Sequence, residues 1–210
     1  MSFYGEKILP CLIHASMRQE AFAPYRRRLV SAAEGRVLEI GAGSGLNFPF
    51  YGDRTTSLIA LDPSPQLLSM ARAKSKAVAF PVELLKGSAD ALPLENDSVD
   101  TVVTTWTLCS VPDARRALEE ARRVLKPSGR LLFVEHGQSP DANVRRWQNR
   151  LTPLWKRIGG GCHLNREMGQ LIEHSGFRIE QMTTGYMKGP KPMTFMYEGS
   201  ARSAQPGHQP

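Results

Sequence analysis

The chain contains the stretch Val37-Leu38-Glu39-Ile40-Gly41-Ala42-Gly43-Ser44-Gly45-Leu46, and this stretch decides the fold. Its apolar, β-branched start predicts a buried parallel strand, and its alternating glycines predict a tight loop directly after that strand. Glycine leaves the backbone uncovered and adopts positive φ angles at little cost. We therefore expect the backbone of this loop, called the glycine loop below, to approach a bound cofactor closely.

The spacing of the glycines indicates which kind of cofactor the loop accepts. A dinucleotide-binding loop of the form G-x-G-x-x-G would need glycine at position 46, where this chain has leucine. The pattern E-x-G-x-G-x-G fits a ligand that has no pyrophosphate. A second apolar strand, Ser57–Asp62, ends in a carboxylate that can accept hydrogen bonds from two ribose hydroxyls.

Strand and helix patterns alternate as far as position 136, which predicts a parallel sheet with helices on both faces. Three further strands are predicted near Val82, near Asp100 and from Gly129 to His136, and the ligand should lie at the carboxyl ends of the strands. The last two strands, at positions 177–183 and 193–197, should include an antiparallel member. The predicted fold is an α/β, Rossmann-like sheet of seven mostly parallel strands.

Helical patterns precede and interrupt this sheet. The 210 residues, 41% of them hydrophobic, suffice for one globular domain. Residues 1–35 are predicted to form an N-terminal helical lid, with a membrane-surface helix as the alternative. Residues 36–198 should form the cofactor-binding domain, in which residues 141–175 are a helical substrate cap between the fifth and sixth strands. The polar residues 199–210 are predicted to be a flexible tail.

Together with the glycine loop, the segment Leu118–Arg130 makes the chain resemble class I S-adenosylmethionine-dependent methyltransferases of the ubiquinone and menaquinone methyltransferase group. A narrower resemblance links it to methyltransferase-like alkyl thiol S-methyltransferases and to bacterial phospholipid methyltransferases. The segments that carry this second resemblance are Leu108–Val111, Glu135–His136, Trp147, Pro153–Trp155 and Gly161–Arg166. The resemblance implies methyl transfer from S-adenosylmethionine, with S-adenosylhomocysteine as the product.

The resemblance also assigns cofactor contacts to particular residues. Glu39 would steady the loop and the methionine end of the cofactor, and Asp62 would bind the ribose. Ser88 stands where these enzymes usually have an aspartate beside the adenine, which leaves the backbone to make that contact. Trp106 would flank the methionine portion, or else belong to the core. The full expected set is Glu39, Gly41, Ala42, Gly43, Gly45, Asn47, Asp62, Pro63, Ser88, Ala89, Thr105 and Trp106.

His136 is the candidate catalytic residue, because it follows the fifth strand, where sites in open α/β sheets lie. Its imidazole could take a proton from the methyl acceptor with Glu135 orienting it, and the alternative is a purely structural histidine. No C-x-x-C motif or second histidine pair accompanies Cys162 and His163, so no metal site is predicted. The expected acceptor-binding residues are Trp147, Trp155, Cys162, His163 and Arg166.

The formal charge of +7 is unevenly distributed. Residues 1–36 carry six Lys and Arg against three Asp and Glu, and residues 141–210 carry ten against five. These basic flanks predict an acidic substrate or contact with an anionic membrane surface, unless they form only a solvated face. Three widely spaced cysteines and the lack of a recognisable leader predict a cytoplasmic protein. Cys109 is predicted to lie in the core. No apolar run in the sequence is long enough to span a bilayer.

Three functions remain open from the sequence. The first is methyl transfer to a small, hydrophobic thiol, and the second is N-methylation of a phosphatidylethanolamine-like head group, which the basic flanks favour. The third is a non-catalytic S-adenosylmethionine-binding module, against which the intact cofactor motifs argue. Nucleic acid is not an expected partner, because the chain has neither Asn-Pro-Pro-Tyr nor Pro-Cys catalytic motifs nor a basic stripe with interleaved aromatics. The sequence makes no prediction of oligomeric state.

Overall fold

A computed structural model describes residues 4–204, and within them the strands form one seven-stranded sheet. The strands lie in the order β3-β2-β1-β4-β5-β7-β6, with β7 antiparallel to both of its neighbours and the first five mutually parallel. The predicted fold is confirmed, including its antiparallel member. In chain order the strands are Gly35–Ile40 (β1), Thr55–Asp62 (β2), Val82–Lys86 (β3), Val99–Thr105 (β4), Leu125–His136 (β5), Phe177–Tyr186 (β6) and Phe195–Ser203 (β7).

The α-helices of the described residues are Leu9–Met17 (α1), Ala23–Leu29 (α2), Pro65–Ser75 (α3), Ala114–Val124 (α4), Ala142–Ile158 (α5) and Met168–His174 (α6). Side-chain caps fix where two of them begin. The Ser64 hydroxyl accepts from the Leu67 N–H at 3.3 Å and opens α3, and the Asp113 carboxylate accepts from the Arg116 N–H at 2.9 Å and opens α4. None of these helices is both long and apolar enough to cross a membrane.

The hydrophobic core has two parts, one on each face of the sheet. Because neighbouring residues of a strand point to opposite faces, Val37 packs in the same cluster as Ala71 of α3, whereas Leu38 packs with Leu118 of α4. Val37–Ile40 are all buried, which explains why β1 reads as a continuous apolar run with a single carboxylate. Because β1 is the third of the seven strands in the sheet, its carboxyl end and the glycine loop lie near the middle of one edge of the sheet.

The N-terminal helices lie against the glycine loop, in the place predicted for a lid. In α1, Nδ1 of His14 lies 2.6 Å from the Ser44 hydroxyl, and in α2, Nε of Arg26 donates to the Asn47 side-chain oxygen at 2.9 Å. Lys74 of α3 donates to the Ser44 carbonyl at 2.8 Å from the other side. The segment is mostly helical from residue 4 to residue 32, and residues 1–3 of the predicted lid lie outside the described residues.

A long helix, α5, occupies the predicted place of the cap between β5 and β6. Its buried Gln148 attaches it to the chain that leaves β5. The Gln148 amide donates to the Gly137 carbonyl at 2.9 Å and accepts from the Ser139 N–H at 2.9 Å. The first half of α5 is therefore held next to the end of β5.

The predicted flexible tail is wrong for residues 199–203, which belong to β7. Their polar composition suggested fraying, but β7 lies between β5 and β6 and pairs with both. Gly199 pairs with Phe133 on one side and Met182 on the other, and Ala201 is fully buried. Hydrogen bonding on both sides of the strand outweighs the weak strand propensity of its residues. Residues 205–210 lie outside the described residues.

Candidate active site

The three glycines of the glycine loop have positive φ angles of 75° (Gly41), 54° (Gly43) and 70° (Gly45). Packing requires two of them: a Cβ atom on Gly41 would collide with the Thr107 side chain, and one on Gly45 would lie 2.8 Å from the Phe48 ring. A Cβ atom on Gly43 would instead point into open space, with its nearest neighbour 4.0 Å away. The backbone at Gly43 thus faces a cradle that a side chain would fill, and this fits a bound S-adenosylmethionine.

Asp62 ends β2 beside the glycine loop, and only 6% of its surface is exposed. Its carboxylate accepts hydrogen bonds from the backbone N–H groups of Gly43 at 2.9 Å and Ser64 at 2.8 Å. Burial raises the pKa of Asp62, and these two hydrogen bonds oppose that rise. Each carboxylate oxygen keeps a second lone pair, so the side chain can hold the loop and still accept from a ribose hydroxyl.

Glu39 is the centre of a buried polar network beneath the glycine loop. Its two carboxylate oxygens accept from the Asn47 amide at 2.8 Å and from the Tyr51 hydroxyl at 2.9 Å. The same Asn47 amide donates to the Thr105 hydroxyl at 2.9 Å, and its oxygen accepts from Arg26 at 2.9 Å. Burial raises the pKa of Glu39 to about 7, although Tyr51, Asn47 and Arg26 each lower it. The network joins β1 to β4 and to α2.

Trp106 follows β4 with a φ angle of 51°, which is unusual for a large side chain. The backbone N–H of Trp106 donates to the Val134 carbonyl at 2.7 Å. The indole ring packs edge-on against Phe22 at a centroid distance of 4.8 Å and against Tyr25 at 6.2 Å. The Arg26 guanidinium lies 5.2 Å from the indole centroid. Such backbone strain costs about 1–3 kcal/mol and is found where the surroundings hold a residue for function. Trp106 thus connects the strand ends with the lid.

The remaining residues expected to bind the cofactor lie at the same edge of the sheet. Ala42 is buried in the glycine loop, and Thr105 ends β4. Ser88 is exposed and Ala89 is buried in the loop after β3, and Pro63 is exposed in the turn after β2. Because β1 to β4 are parallel, their carboxyl ends meet at this edge. The contacts of these individual residues with S-adenosylmethionine stay predictions.

His136 ends β5 and lies in a thiol–imidazole cluster, defined as Cys109, His136 and Cys162. The Cys162 sulfur is 3.6 Å from Nε2 and 3.8 Å from Nδ1 of His136, and 3.8 Å from the Cys109 sulfur. His136 is 5% exposed and Cys109 is 2% exposed, so sulfur and imidazole meet in a nearly dry environment. Cys109 follows β4 and Cys162 follows α5, so the cluster joins three parts of the chain.

The expectation that Glu135 orients His136 is wrong. The Glu135 carboxylate accepts from the backbone N–H groups of Thr107 at 3.0 Å and Cys109 at 3.3 Å. Both carboxylate oxygens are occupied by these backbone donors, and among the described residues no hydrogen bond or ion pair joins Glu135 to the imidazole of His136. The role of Glu135 is to hold the loop that carries Cys109.

Protonation within the thiol–imidazole cluster is coupled. The hydrogen bond with Cys162, together with burial, raises the pKa of Cys109 well above its usual value. The same hydrogen bond lowers the pKa of Cys162 although burial opposes it, with a smaller contribution from Trp155. Burial lowers the pKa of His136, but the neighbouring Cys109 and Glu135 reverse this and its pKa is raised overall. Of the two thiols, that of Cys162 therefore loses its proton more readily.

Four of the five expected acceptor-binding residues lie in this cluster or beside it. Cys162 belongs to it, and the Trp155 side chain lies near enough to lower the pKa of Cys162. The backbone N–H of His163 donates to the Cys109 carbonyl at 2.8 Å. The Arg166 guanidinium donates to the carbonyls of Leu108 and, at 3.3 Å, Pro112, so it shapes the loop after β4.

Trp147 lies apart from the cluster. It is 55% exposed on α5, and the Arg150 guanidinium lies 5.7 Å from the centroid of its ring. A contact between Trp147 and the methyl acceptor stays a prediction.

Three residues that shape the site were not expected from the sequence. Tyr51 and Arg26 complete the network around Glu39, and Cys109 is a member of the cluster rather than an isolated core residue. A buried carboxylate needs partners, so Glu39 did signal that donors had to exist. The sequence carried no sign of which residues would supply them.

Comparisons with known proteins agree with this geometry. Residues 38–133 match a model of the methyltransferase domain. Thiol S-methyltransferase TMT1B of Rattus norvegicus is 36% identical over 173 residues, which cover 80% of this chain and 70% of that protein. A phosphatidylethanolamine N-methyltransferase of Cereibacter sphaeroides is 36% identical over 165 residues, covering 77% of this chain and 74% of that protein. The solved structure of a SAM-dependent methyltransferase from Aquifex aeolicus has a TM-score of 0.66 at 18% identity, covering 94% of this chain and 100% of that one.

These findings differ in what they establish. The structure from Aquifex aeolicus shares the fold, whereas the two sequence relatives match along most of their own length at 36% identity. The glycine loop with its open cradle and the acid-ended β2 supply the cofactor site that such enzymes need. The chain therefore belongs to the class I S-adenosylmethionine-dependent methyltransferases, as an enzyme with S-adenosylmethionine as its cofactor and with thiol S-methyltransferases and a phosphatidylethanolamine N-methyltransferase among its relatives.

Proposed function

We propose that the enzyme methylates the sulfur of a small, hydrophobic thiol. The relatives named as thiol S-methyltransferases support this acceptor, and the match with TMT1B extends over most of the cap. The observation that carries the proposal is the thiol–imidazole cluster at the end of β5, where a buried imidazole lies 3.6 Å from a sulfur atom. An imidazole in this position can take the proton from a thiol that binds beside it.

The reaction is an in-line displacement. The acceptor's sulfur attacks the methyl carbon, a carbon–sulfur bond forms to give the methyl thioether, and the bond from the methyl group to the sulfonium breaks to give S-adenosylhomocysteine. The cofactor already carries the activation, so the protein contributes alignment, exclusion of water and removal of one proton. A free thiol has a pKa of about 8.5, so a modest shift toward the thiolate is enough at neutral pH. His136 is the proposed catalytic residue that takes up this proton.

The test is a methyl-transfer assay with labelled S-adenosylmethionine over a panel of aliphatic and aromatic thiols. We expect turnover that rises with the hydrophobicity of the thiol and falls in His136→Ala. The matched control is His174→Ala, because His174 is exposed at the end of α6. Binding of S-adenosylmethionine without methylation of any thiol would overturn the proposal.

A second candidate function is N-methylation of an amine lipid. The relative named phosphatidylethanolamine N-methyltransferase supports it, and so does an exposed apolar face formed by Leu12 (52% exposed), Leu154 (61%) and Ile158 (50%). The Tyr4 hydroxyl donates to the Ile158 carbonyl at 2.9 Å, so the start of the N-terminal helical segment lies against the end of α5. Exposed basic residues flank the apolar face on α5, namely Arg150, Lys156 and Arg157.

On this basis we propose that the apolar face contacts an anionic membrane surface from a cytoplasmic location. The three free cysteines support a reducing compartment. Leu154→Ser with Ile158→Ser should reduce sedimentation with anionic vesicles and leave affinity for S-adenosylmethionine unchanged. Met182→Ser, a substitution of another exposed apolar residue on β6, is the control. Equal vesicle binding by both variants would contradict the membrane proposal and leave the thiol proposal intact.

A further inference from the structure

The thiol–imidazole cluster contains three side chains that commonly bind transition metals. One donor atom from each of Cys109, His136 and Cys162 lies within 4.8 Å of the other two. The sequence separation is 53 residues between the cysteines and 26 between His136 and Cys162, so no short sequence motif marks the group. Two cysteines and one histidine form a ligand set known for zinc sites that keep an open position.

Two of the three distances between the donor atoms match those of a tetrahedral zinc site. With zinc–sulfur bonds of about 2.3 Å and zinc–nitrogen bonds of about 2.0–2.1 Å, two sulfurs lie about 3.8 Å apart and a sulfur and a nitrogen about 3.6 Å apart. The two cysteine sulfurs are 3.8 Å apart, and the Cys162 sulfur is 3.6 Å from Nε2 of His136. The third pair, the Cys109 sulfur and the imidazole, lies within 4.8 Å. The Cys162 sulfur is also 3.8 Å from Nδ1, so the His136 ring has to turn until one nitrogen points at the shared ion.

The charges around the cluster also suit a divalent cation. Two thiolates balance Zn²⁺, so loading exchanges two thiol protons for one ion without leaving an excess of buried charge. Glu135 and Arg166, which have opposite formal charges, both hold the loop that carries Cys109, through hydrogen bonds to the backbone of Cys109 and Leu108.

Backbone hydrogen bonds hold the ligands in place. The Cys109 N–H donates to the Glu135 carboxylate at 3.3 Å, and the Cys109 carbonyl accepts from the His163 N–H at 2.8 Å. The Arg166 guanidinium fixes the preceding carbonyl, that of Leu108. Partners of this kind commonly orient metal ligands and tune the affinity of the site.

We propose that Cys109, His136 and Cys162 bind one Zn²⁺ ion through three protein ligands and that the fourth position receives the sulfur of the methyl acceptor. The second part rests on the proposed thiol acceptor. The acceptor's thiol binds the ion and loses its proton to solvent, its sulfur attacks the methyl carbon of the cofactor, and the neutral thioether leaves as a weaker ligand. In the loaded enzyme His136 is a ligand, and the metal replaces the imidazole as the group that generates the thiolate.

Metal binding can be tested with Co²⁺ as the probe, on full-length protein first depleted of metal by a chelator. We expect one Co²⁺ per chain with the absorption of a tetrahedral site and thiolate charge-transfer bands, displaced by Zn²⁺. Cys162→Ser and His136→Ala should weaken Co²⁺ binding about tenfold or more. Cys11→Ser is the matched control, because Cys11 is exposed on α1. No Co²⁺ binding, octahedral spectra, or equal loss in Cys11→Ser would overturn the site.

The open position has its own readout. Benzyl mercaptan should perturb the Co²⁺ spectrum of the loaded protein, and an unchanged spectrum would overturn the role of the metal in acceptor binding. Circular dichroism and S-adenosylhomocysteine affinity check that the variants are folded. If Co²⁺ binds as described while no thiol is methylated, the metal site stands and the proposed function fails. If thiols are methylated equally by the depleted and the Zn²⁺-loaded protein, the proposed function stands and the metal's role in the reaction is refuted.

Discussion

Replacing Asp62 by alanine should affect the cofactor site more than any other single loss of charge. The Asp62 carboxylate accepts from Gly43 at 2.9 Å and from Ser64 at 2.8 Å, and each oxygen keeps a lone pair for a ribose hydroxyl. A hydrogen bond to a charged group contributes about 1.5–3 kcal/mol, so two lost ribose contacts weaken binding by about 3–6 kcal/mol. This corresponds to a loss of affinity of about two to four orders of magnitude.

The assay is calorimetric titration with S-adenosylhomocysteine, supported by thermal denaturation. Loss of the Gly43 and Ser64 hydrogen bonds should also lower the stability of the unliganded protein. Asp53→Ala removes the same charge from an exposed position just before β2 begins and should leave the affinity unchanged. A folded Asp62→Ala variant with wild-type affinity would refute the assignment.

A modified ligand separates the two tasks of Asp62. An analogue of S-adenosylhomocysteine without the 2′ and 3′ hydroxyls should bind the wild type weakly but should lose little further affinity in Asp62→Ala. If the analogue loses as much affinity as the natural ligand on substitution, Asp62 acts by holding the glycine loop and not by binding ribose.

Three further predictions follow from the site. Burial raises the pKa of Glu39 from 4.5 to about 7. The contribution of Glu39 to the free energy of unfolding is therefore fully present below pH 4.5, and about 3 kcal/mol of it should be lost as the pH rises to 7. Urea unfolding of Glu39→Gln should lack this decline, and parallel pH profiles of the wild type and the variant would contradict the prediction. Turnover of His136→Ala should fall most below the pKa of the acceptor thiol and recover in part as the pH rises, whereas a loss independent of pH would show that His136 acts through packing. Gly43→Val should abolish binding of S-adenosylhomocysteine by a folded protein, while Gly185→Val, whose Cβ atom also meets nothing within 4 Å, should bind normally in the same titration.

The sequence predicted the parts of the site that depend on strand order. The glycine loop, Asp62 and His136 each follow an apolar strand, and parallel strands bring such positions to one edge of the sheet. The starts of α3 at Ser64 and of α4 at Asp113 are likewise fixed locally, because a capping side chain acts within three residues.

The parts that the sequence did not predict depend on contacts between distant segments. Tyr51 and Arg26 reach the Glu39 network from a short 3₁₀-helical turn and from the lid, and nothing local fixes their side chains there. Cys109 and Cys162 meet because α5 and its following loop fold back over the end of β4. Residues 199–203 have the polar composition of a flexible tail, so nothing in the sequence indicated that they form part of β7 and pair with strands on both sides.

The central claim, methyl transfer to sulfur, is tested most directly by competition between acceptors. The enzyme is given methyl-labelled S-adenosylmethionine together with a hydrophobic thiol and phosphatidylethanolamine in the same vesicles, and the labelled products are identified by mass spectrometry. The account predicts label in the methyl thioether, with little or none in the lipid head group. Label that accumulates in N-methylated lipid while the thiol stays unmodified would contradict it.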